Sequence, residues 1–411
     1  MTIGEVIKYF RKKNQLTQEV LSAGICSIPY LSKLENNQLE PSNDILLHLC
    51  KRLGLDSKEI ENITSPKILE ELLEWSALIN QERFQEALLL KDQIDLKKDY
   101  ISSQFLRIYY ELFSIHLLLK SEGHAPLQQI EQLAASYAYM DSKQRYHMRK
   151  IEGIYHYKTS DWQQSASYFQ EAVLLGEMVG LQEADVYYSL AIVYSRLRKF
   201  LNSNQYIKKC ELIYQKNLDY KKVLKCKMMF AINNLLMKEY QLAREDFEKI
   251  LTSKELESSL RSKVLHNIGV IYYHQNDFQK AEKAITESMD MGRSPYSLLK
   301  SYYFLSLIYC ELQQDGQTIK FRDLGITLAK ELNNAEYHYK FQILNYKYKL
   351  GTVHPEWELT LKEEVVPFFK KFGDKDDYIQ VLSLLGEFYY EHKKYKQAAD
   401  IYIEVSAEAL A

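Results

Sequence analysis

Leu265-His266-Asn267-Ile268-Gly269-Val270-Ile271-Tyr272, continued at Phe278-Gln279-Lys280-Ala281, is the stretch that decides the fold. A small residue (Gly269) is followed three on by an aromatic (Tyr272), then by an aromatic (Phe278) and a second small residue (Ala281) on what reads as the next helix. The pattern returns at Gly386, Tyr389, Tyr395 and Ala398, at Gly153, Trp162 and Ser165, and more weakly at Ala191, Tyr194, Phe200 and Ser203 and at Ala231, Asn234, Tyr240 and Ala243. Small residues let two helices approach closely, and aromatic rings fill the space beside the contact. The second small residue falls at 87, 165, 203, 243, 281 and 398, a ladder with a step of about 39, with degenerate rungs near 126, 319 and 358. No strand-like alternation of any length appears, and 14 Gly and 7 Pro are few for 411 residues, so the chain reads as all-α.

This is the tetratricopeptide pattern. It predicts eight or nine helical hairpins stacked into a right-handed superhelix with a concave inner face. Asp374-Lys375-Asp376-Asp377 and Gly292-Arg293-Ser294-Pro295 read as loops between hairpins. The repeats fill residues 76–411. Residues 65–75 read as a linker hinged at Ser65-Pro66, and residues 1–64 as a separate head.

The head begins with a helix from Thr2 to Lys13 that buries Ile3, Val6, Ile7 and Phe10. Thr17 is placed to cap a second helix that Gly24 ends, and Ser27 to cap a third with Pro29 in its first turn. Leu31 and Leu34 face inward on that third helix, which leaves Ile28, Pro29, Tyr30, Ser32 and Lys33 pointing outward. Pro41-Ser42 opens a fourth helix that Gly54 stops, and a short fifth follows near Ser57. Two short helices joined by a tight turn form a helix-turn-helix, whose second helix can enter a major groove.

Charge neither demands nor forbids that reading. The net charge is −2, and the head balances eight Lys/Arg with eight Asp/Glu, so attraction to phosphate is local to Lys8, Arg11, Lys12 and Lys13. Five scattered cysteines form no CxxC and read as reduced thiols. No run approaches the ~18 apolar residues of a membrane span and no signal peptide is apparent, so a cytoplasmic protein without membrane contact is expected. Ten dispersed His and no HExxH, GxSxG, P-loop or dinucleotide fingerprint leave no catalytic residue, metal or cofactor to name, and the chain reads as a non-enzyme.

The head resembles the Xre/Cro-type helix-turn-helix family over about 60 residues: Leu16-Thr17-Gln18, then Leu31-Ser32-Lys33-Leu34-Glu35-Asn36, then Pro41-Ser42 and Leu53-Gly54-Leu55. The resemblance implies that Gln18 anchors a phosphate and that Ser27 opens the recognition helix. It further implies that Ile28, Pro29, Tyr30 and Lys33 face the groove, that Ser32 and Asn37 fix the DNA backbone, and that Arg11 and Glu35 form an internal ion pair. Ile28 and Pro29 stand where many relatives carry polar groups, which points to methyl contacts or shape readout.

With the repeat body, the whole chain resembles the peptide-sensing quorum regulators of Gram-positive bacteria, the RRNPP superfamily, and within it the NprR and PlcR branch. That resemblance implies a transcription regulator that binds double-stranded operator DNA as a homodimer or higher homo-oligomer, controlled by a short signalling peptide in the concave face of the array. An extended peptide presents unpaired backbone donors and acceptors, for which Asn side chains are natural clamps. Asn267 is the first candidate, then Asn234 or Asn233 one hairpin earlier, with His266, Lys263, Tyr188, Arg196, Tyr273 and Lys300 on the same face. The cations among them suit a peptide carboxylate. The alternative is an array that binds a response-regulator protein, as sporulation phosphorelay inhibitors or phosphatases of the superfamily do, using the region from Leu69 to Tyr139.

Overall fold

The computed structural model describes residues 3–55, 66–96, 101, 104–121, 127–292, 294–348, 357–373 and 375–410, the side chains of 43, 66, 67 and 410 aside. Thr2, the fifth helix near Ser57, the hinge residue Ser65, and the loop residues Arg293 and Asp374 lie outside these. The described residues are helical and contain no strand. They fall into two compact units, Met1–Cys210 and Glu211–Ala411.

The first unit opens with the four helices of the head: α1 (Ile3–Lys13), α2 (Gln18–Ser22), α3 (Ile28–Glu35) and α4 (Asn43–Leu53). Val6, Ile7 and Phe10 of α1 are buried with Leu21, Leu31, Leu34, Leu49 and Leu53, as the spacing predicts. Thr17 Oγ1 accepts from the Val20 N–H and Ser27 Oγ from the Tyr30 N–H, so both expected caps form. Ser42 starts α4 without a side-chain cap bond. Gly54 ends α4 at φ 72°, where the left-handed backbone favours glycine. Gly4 was not singled out in the sequence, yet it sets how closely α1 meets α3. A Cβ there would lie 1.8 Å from the Leu34 carbonyl oxygen.

Four hairpins complete this unit: α5 (Pro66–Asn80) with α6 (Phe84–Asp95), α7 (Gln104–Ser121) with α8 (Leu127–Ala134), α9 (Ser142–Lys158) with α10 (Trp162–Val179), and α11 (Ala184–Arg196) with α12 (Phe200–Lys216), whose last turn runs into the second unit. Helix α5 runs through residues 66–75, which the sequence reads as linker. The last two of these hairpins close where the sequence pairs its small residues. Ser165 Oγ donates to the Gly153 carbonyl and Ser203 Oγ to the Ala191 carbonyl, both at 2.8 Å. Helix α1 packs on the 3-10 turn Tyr137–Tyr139 just before α9.

The second unit repeats the device with α13 (Tyr220–Leu236) and α14 (Tyr240–Leu251), α15 (Ser258–His274) and α16 (Phe278–Asp290), α17 (Pro295–Glu311) and α18 (Asp315–Glu331). Then come α19 (Ala335–Lys347), α20 (Trp357–Thr360), continued through a π-helical turn (Leu361–Val365) into α21 (Val366–Phe372), and α22 (Lys375–Glu391) with α23 (Tyr395–Leu410). Ala87, Ser165, Ser203, Ala243, Ala281 and Ala398 are all buried, so the ladder read from sequence is the row of close contacts. Its degenerate rung near 319 is Thr318, buried twelve residues after the buried Ser306. The turn inside successive hairpins holds a residue in the left-handed region without using glycine: Glu82, Ser160, Arg198, Lys238, Asn276, Gln313 and Lys393.

Candidate functional site

The candidate nucleic-acid interface is built around one buried carboxylate. Glu35, at the end of α3, is 2% exposed. Arg11 reaches it from α1 with two bonds, Nε to Oε1 at 2.6 Å and a terminal nitrogen to Oε2 at 2.8 Å, and also donates to the Leu16 carbonyl. Gln18 Nε2 of α2 donates to Glu35 Oε2 at 2.8 Å. One acidic side chain thus ties three helices together, a bidentate arrangement that fixes geometry as well as charge. The Arg11–Glu35 pair expected from the resemblance is present. Gln18, expected at a phosphate, uses its amide nitrogen inside the head.

Outside this hub the first turns of α3 are uncovered. Ile28 is 44% exposed, Ser27, Pro29 and Lys33 are exposed, and Tyr30 and Ser32 are half-buried. Asn37 is exposed just past α3, at φ 59°. Two supports escaped the sequence reading. Arg52 of α4 donates to the carbonyls at the end of α2, including Leu21 at 3.2 Å, and Lys8 donates to Asn36 Oδ1 at 3.1 Å. Lone basic residues on helices give no pattern from which such partners can be read. Lys12 lies toward the repeats: burial, then Arg145, Lys8 and Arg11, pull its ammonium below the usual lysine range.

The peptide-binding candidates divide between the units. In the first, Tyr188 is half-buried and Arg196 is exposed, its guanidinium 5.8 Å from the Trp162 ring centre. In the second, Lys263 is exposed, while Asn267 is half-buried and donates within its own helix to the Lys263 carbonyl at 3.0 Å. Asn234 is 7% exposed and donates to Asp246 Oδ2 at 3.0 Å. Asn233 is fully buried, and His266 is buried with Nδ1 3.4 Å from Ser301 Oγ and its ring edge-on to Phe304. Tyr273 packs on Phe278 and Phe304, and burial pushes its hydroxyl up to about 12. Lys300 lies 4.8 Å from the Tyr296 ring centre.

Counting from the buried small residue of each first helix brings out an order that the sequence reading missed. Six residues before Ala231, Gly269 and Ser306 stand Lys225, Lys263 and Lys300. The three helices α13, α15 and α17 pack in succession, so their ammonium groups occupy one register. Among the described residues no three His, Cys, Asp or Glu side chains converge as metal ligands. No helix there is long and apolar enough to cross a membrane.

A family model described as helix-turn-helix matches residues 7–60. Over 402 residues the chain is 27% identical to the transcriptional activator NprA of Geobacillus stearothermophilus, covering 93% of this chain and 97% of that one. Its fold matches that of NprR in complex with its cognate peptide NprX, with a TM-score of 0.70 and 18% identity over 84% of this chain and 98% of that one. It also matches a Rap protein complexed with Competence and Sporulation Factor, with a TM-score of 0.71 and 19% identity over 84% and 98%.

Proposed function

Taking the chain as one of the helix-turn-helix, helical-repeat regulators of the peptide-sensing superfamily, we propose that it is a cytoplasmic transcription regulator whose DNA affinity is set by a short peptide. Residues 1–64 are the reader and residues 76–411 the sensor and oligomerisation body. The observation that carries this reading is the uncovered start of α3 on a head braced by Glu35, in a chain related from end to end to a transcriptional activator. Ile28 and Pro29 offer apolar contact to thymine methyl groups, Lys33 and Tyr30 flank them, and Ser27, Ser32 and Asn37 lie toward the phosphates. Gln18 serves there by holding Glu35, and its backbone rather than its amide meets the DNA. One near-neutral head makes too few contacts for a specific site, so two copies act on two half-sites.

For the peptide, the register of Lys225, Lys263 and Lys300 in the second unit favours a ligand with carboxylates, held with Asn267, Asn234 and Tyr273 of the same unit. Asn233 and His266 act behind the surface by fixing the helices. A coupling of about 1.4 kcal/mol between peptide and DNA is enough for a tenfold change in affinity.

Selection of DNA from a random-sequence pool by the full chain tests the reader. We expect a two-fold-related site to enrich, and Ile28→Asp to lose it. Light scattering and DNA titration with peptides encoded beside the gene test the sensor: a cognate peptide changes oligomer mass or DNA affinity, and Lys263→Glu removes that response while leaving peptide-free DNA affinity unchanged. Enrichment of no sequence would overturn the proposal in favour of the second reading, an array that docks a response regulator. That reading draws on three outward leucines of α6 and its end, Leu88, Leu89 and Leu96, the last 89% exposed.

A further inference from the structure

The same register that presents lysines in the second unit is roofed over in the first. Six and three residues before Gly153 of α9 stand His147 and Lys150, both buried. Above them a cavity of about 310 Å³ is closed by α5, by α7, by the turn leading into α11 and by Glu5 of the head. Lys150 does not open onto it. Its ammonium is held by Glu183 and by Asn80 Oδ1, the latter at 2.7 Å.

Two features of the walls point to a ligand. One side is apolar, formed by Leu69, Leu73, Phe105, Tyr109 and Leu181. The other carries Glu5, Asp141 and Glu183 against the single lining cation Lys143, so even with Lys150 counted the described residues around the cavity hold one more negative charge than positive. Burial first, and to a smaller extent the neighbouring Glu5, push the Asp141 carboxyl above the usual range. Independently, Ser76 on the cavity wall is 4% exposed, and its hydroxyl has no hydrogen-bond partner. Buried hydroxyls without partners are uncommon and costly.

We propose that this cavity is a second ligand site, for a small amphipathic amine whose ammonium sits by Asp141 and Ser76 and whose apolar body lies on Leu73, Phe105 and Tyr109. The volume stands at the small end of ligand pockets, enough for one ring or a short chain. Because Glu5 belongs to α1 and the other walls to the repeats, an occupant touches head and body together.

Phenethylamine is the probe, compared with 2-phenylethanol and 3-phenylpropionate in titration calorimetry on the full chain. At about 0.3 kcal/mol or more per non-hydrogen atom, saturable one-to-one binding is expected below about 10 mM. The alcohol should bind at least tenfold more weakly and the acid not at all. Asp141→Asn keeps an N-cap that supports α9 and should weaken the amine at least tenfold. Ala77→Trp fills the cavity from an exposed position and should abolish binding. No saturable amine binding, or binding unchanged in both variants, overturns the proposal. The experiment uses neither DNA nor signalling peptide, so its result is independent of the regulatory reading.

Discussion

One repeat geometry meets two environments in this chain. In the second unit, the position six residues before the small residue is Lys225, Lys263 or Lys300, and Lys263 is exposed. In the first unit, α9 puts His147 there and Lys150 one turn later, under α5 and the head, and both are buried. The three buried Asp, Glu, Lys or Arg residues among those described, Glu35, Lys150 and Glu152, all belong to the first unit, whereas buried polar groups of the second are Asn, Ser, Thr and His. The repeat therefore fixes where a side chain points, and whatever covers the inner face decides whether a cation there is a strut or a contact.

The sharpest way to break this contrast is to remove the matching cations. Lys150→Ala leaves Glu183 without its cation and Asn80 without its donor, which is expected to cost about 3 kcal/mol or more. Lys263→Ala on an exposed position should change stability by no more than about 0.5 kcal/mol. Hydrogen exchange read by mass spectrometry on fragments of each unit separates the two effects. Equal losses would mean that the roof over α9 does not seal it.

Acid should act on the first unit in the same way. Burial holds the His147 imidazole down at about 4, and burial also lowers His116 far below its ordinary value. A folded value below the unfolded one means the unfolded chain binds more protons between pH 6.5 and 4, so stability falls as pH drops through that window. For His147 the loss approaches about 3 kcal/mol by pH 4. Glu183 works lower down: burial raises its carboxyl, but Lys150, His147 and their hydrogen-bonding neighbours outweigh this and hold it at about 2. Its contribution is lost only as pH falls from the ordinary glutamate range toward 2. In the second unit His274 and His338 are also lowered, but they are exposed and half-buried, so exchange in the fragments that hold them should respond less. His147→Phe keeps the ring contacts with Tyr109, Phe113 and Tyr146 and should make the first unit's profile shallower above pH 4, leaving the part that belongs to His116.

Steric fit can be tested in the second unit where no charge is involved. A Cβ on Gly325 would lie 2.0 Å from Phe341 Cζ, and one on Gly269 would lie 2.5 Å from Ile285 Cγ1. Gly325→Ala should cost about 1–3 kcal/mol through overpacking, with the loss confined to fragments of α18 and α19. A loss at that site that grew with acid would contradict a purely steric origin.

Much of this was legible in the sequence because close helix contacts demand small residues at fixed spacing. Ala87, Ser165, Ser203, Ala243, Ala281 and Ala398 gave the hairpins, and Thr17, Ser27, Gly24 and Gly54 gave the head its ends. Partners distant in sequence were not legible. Nothing near Gln18 says that its amide meets Glu35, and nothing near Lys150 names Asn80, seventy residues away. Gly325 escaped because its reason is a ring on the next helix. The lysine register also needed the observed close contacts, since the third small residue is Ser306 and not a glycine or alanine.

The smallest predicted effect compares two serines that look alike in sequence. Ser27 and Ser42 each precede a helix with extended backbone, at ψ 151° in both cases. Only Ser27 accepts a backbone bond, from Tyr30 N–H at 3.3 Å. Ser27→Ala should therefore cost about 1 kcal/mol, read as faster exchange in α3, while Ser42→Ala should leave α4 within a few tenths. Helix α3 has few other ties at its start, because its outward side chains are uncovered, so the cap matters more there than its modest energy suggests. If the two substitutions proved equal, the entry to α3 would have to be held by the burial of Leu31 and not by its cap, and the head would be stiffer at the start of α3 than its hydrogen bonds imply.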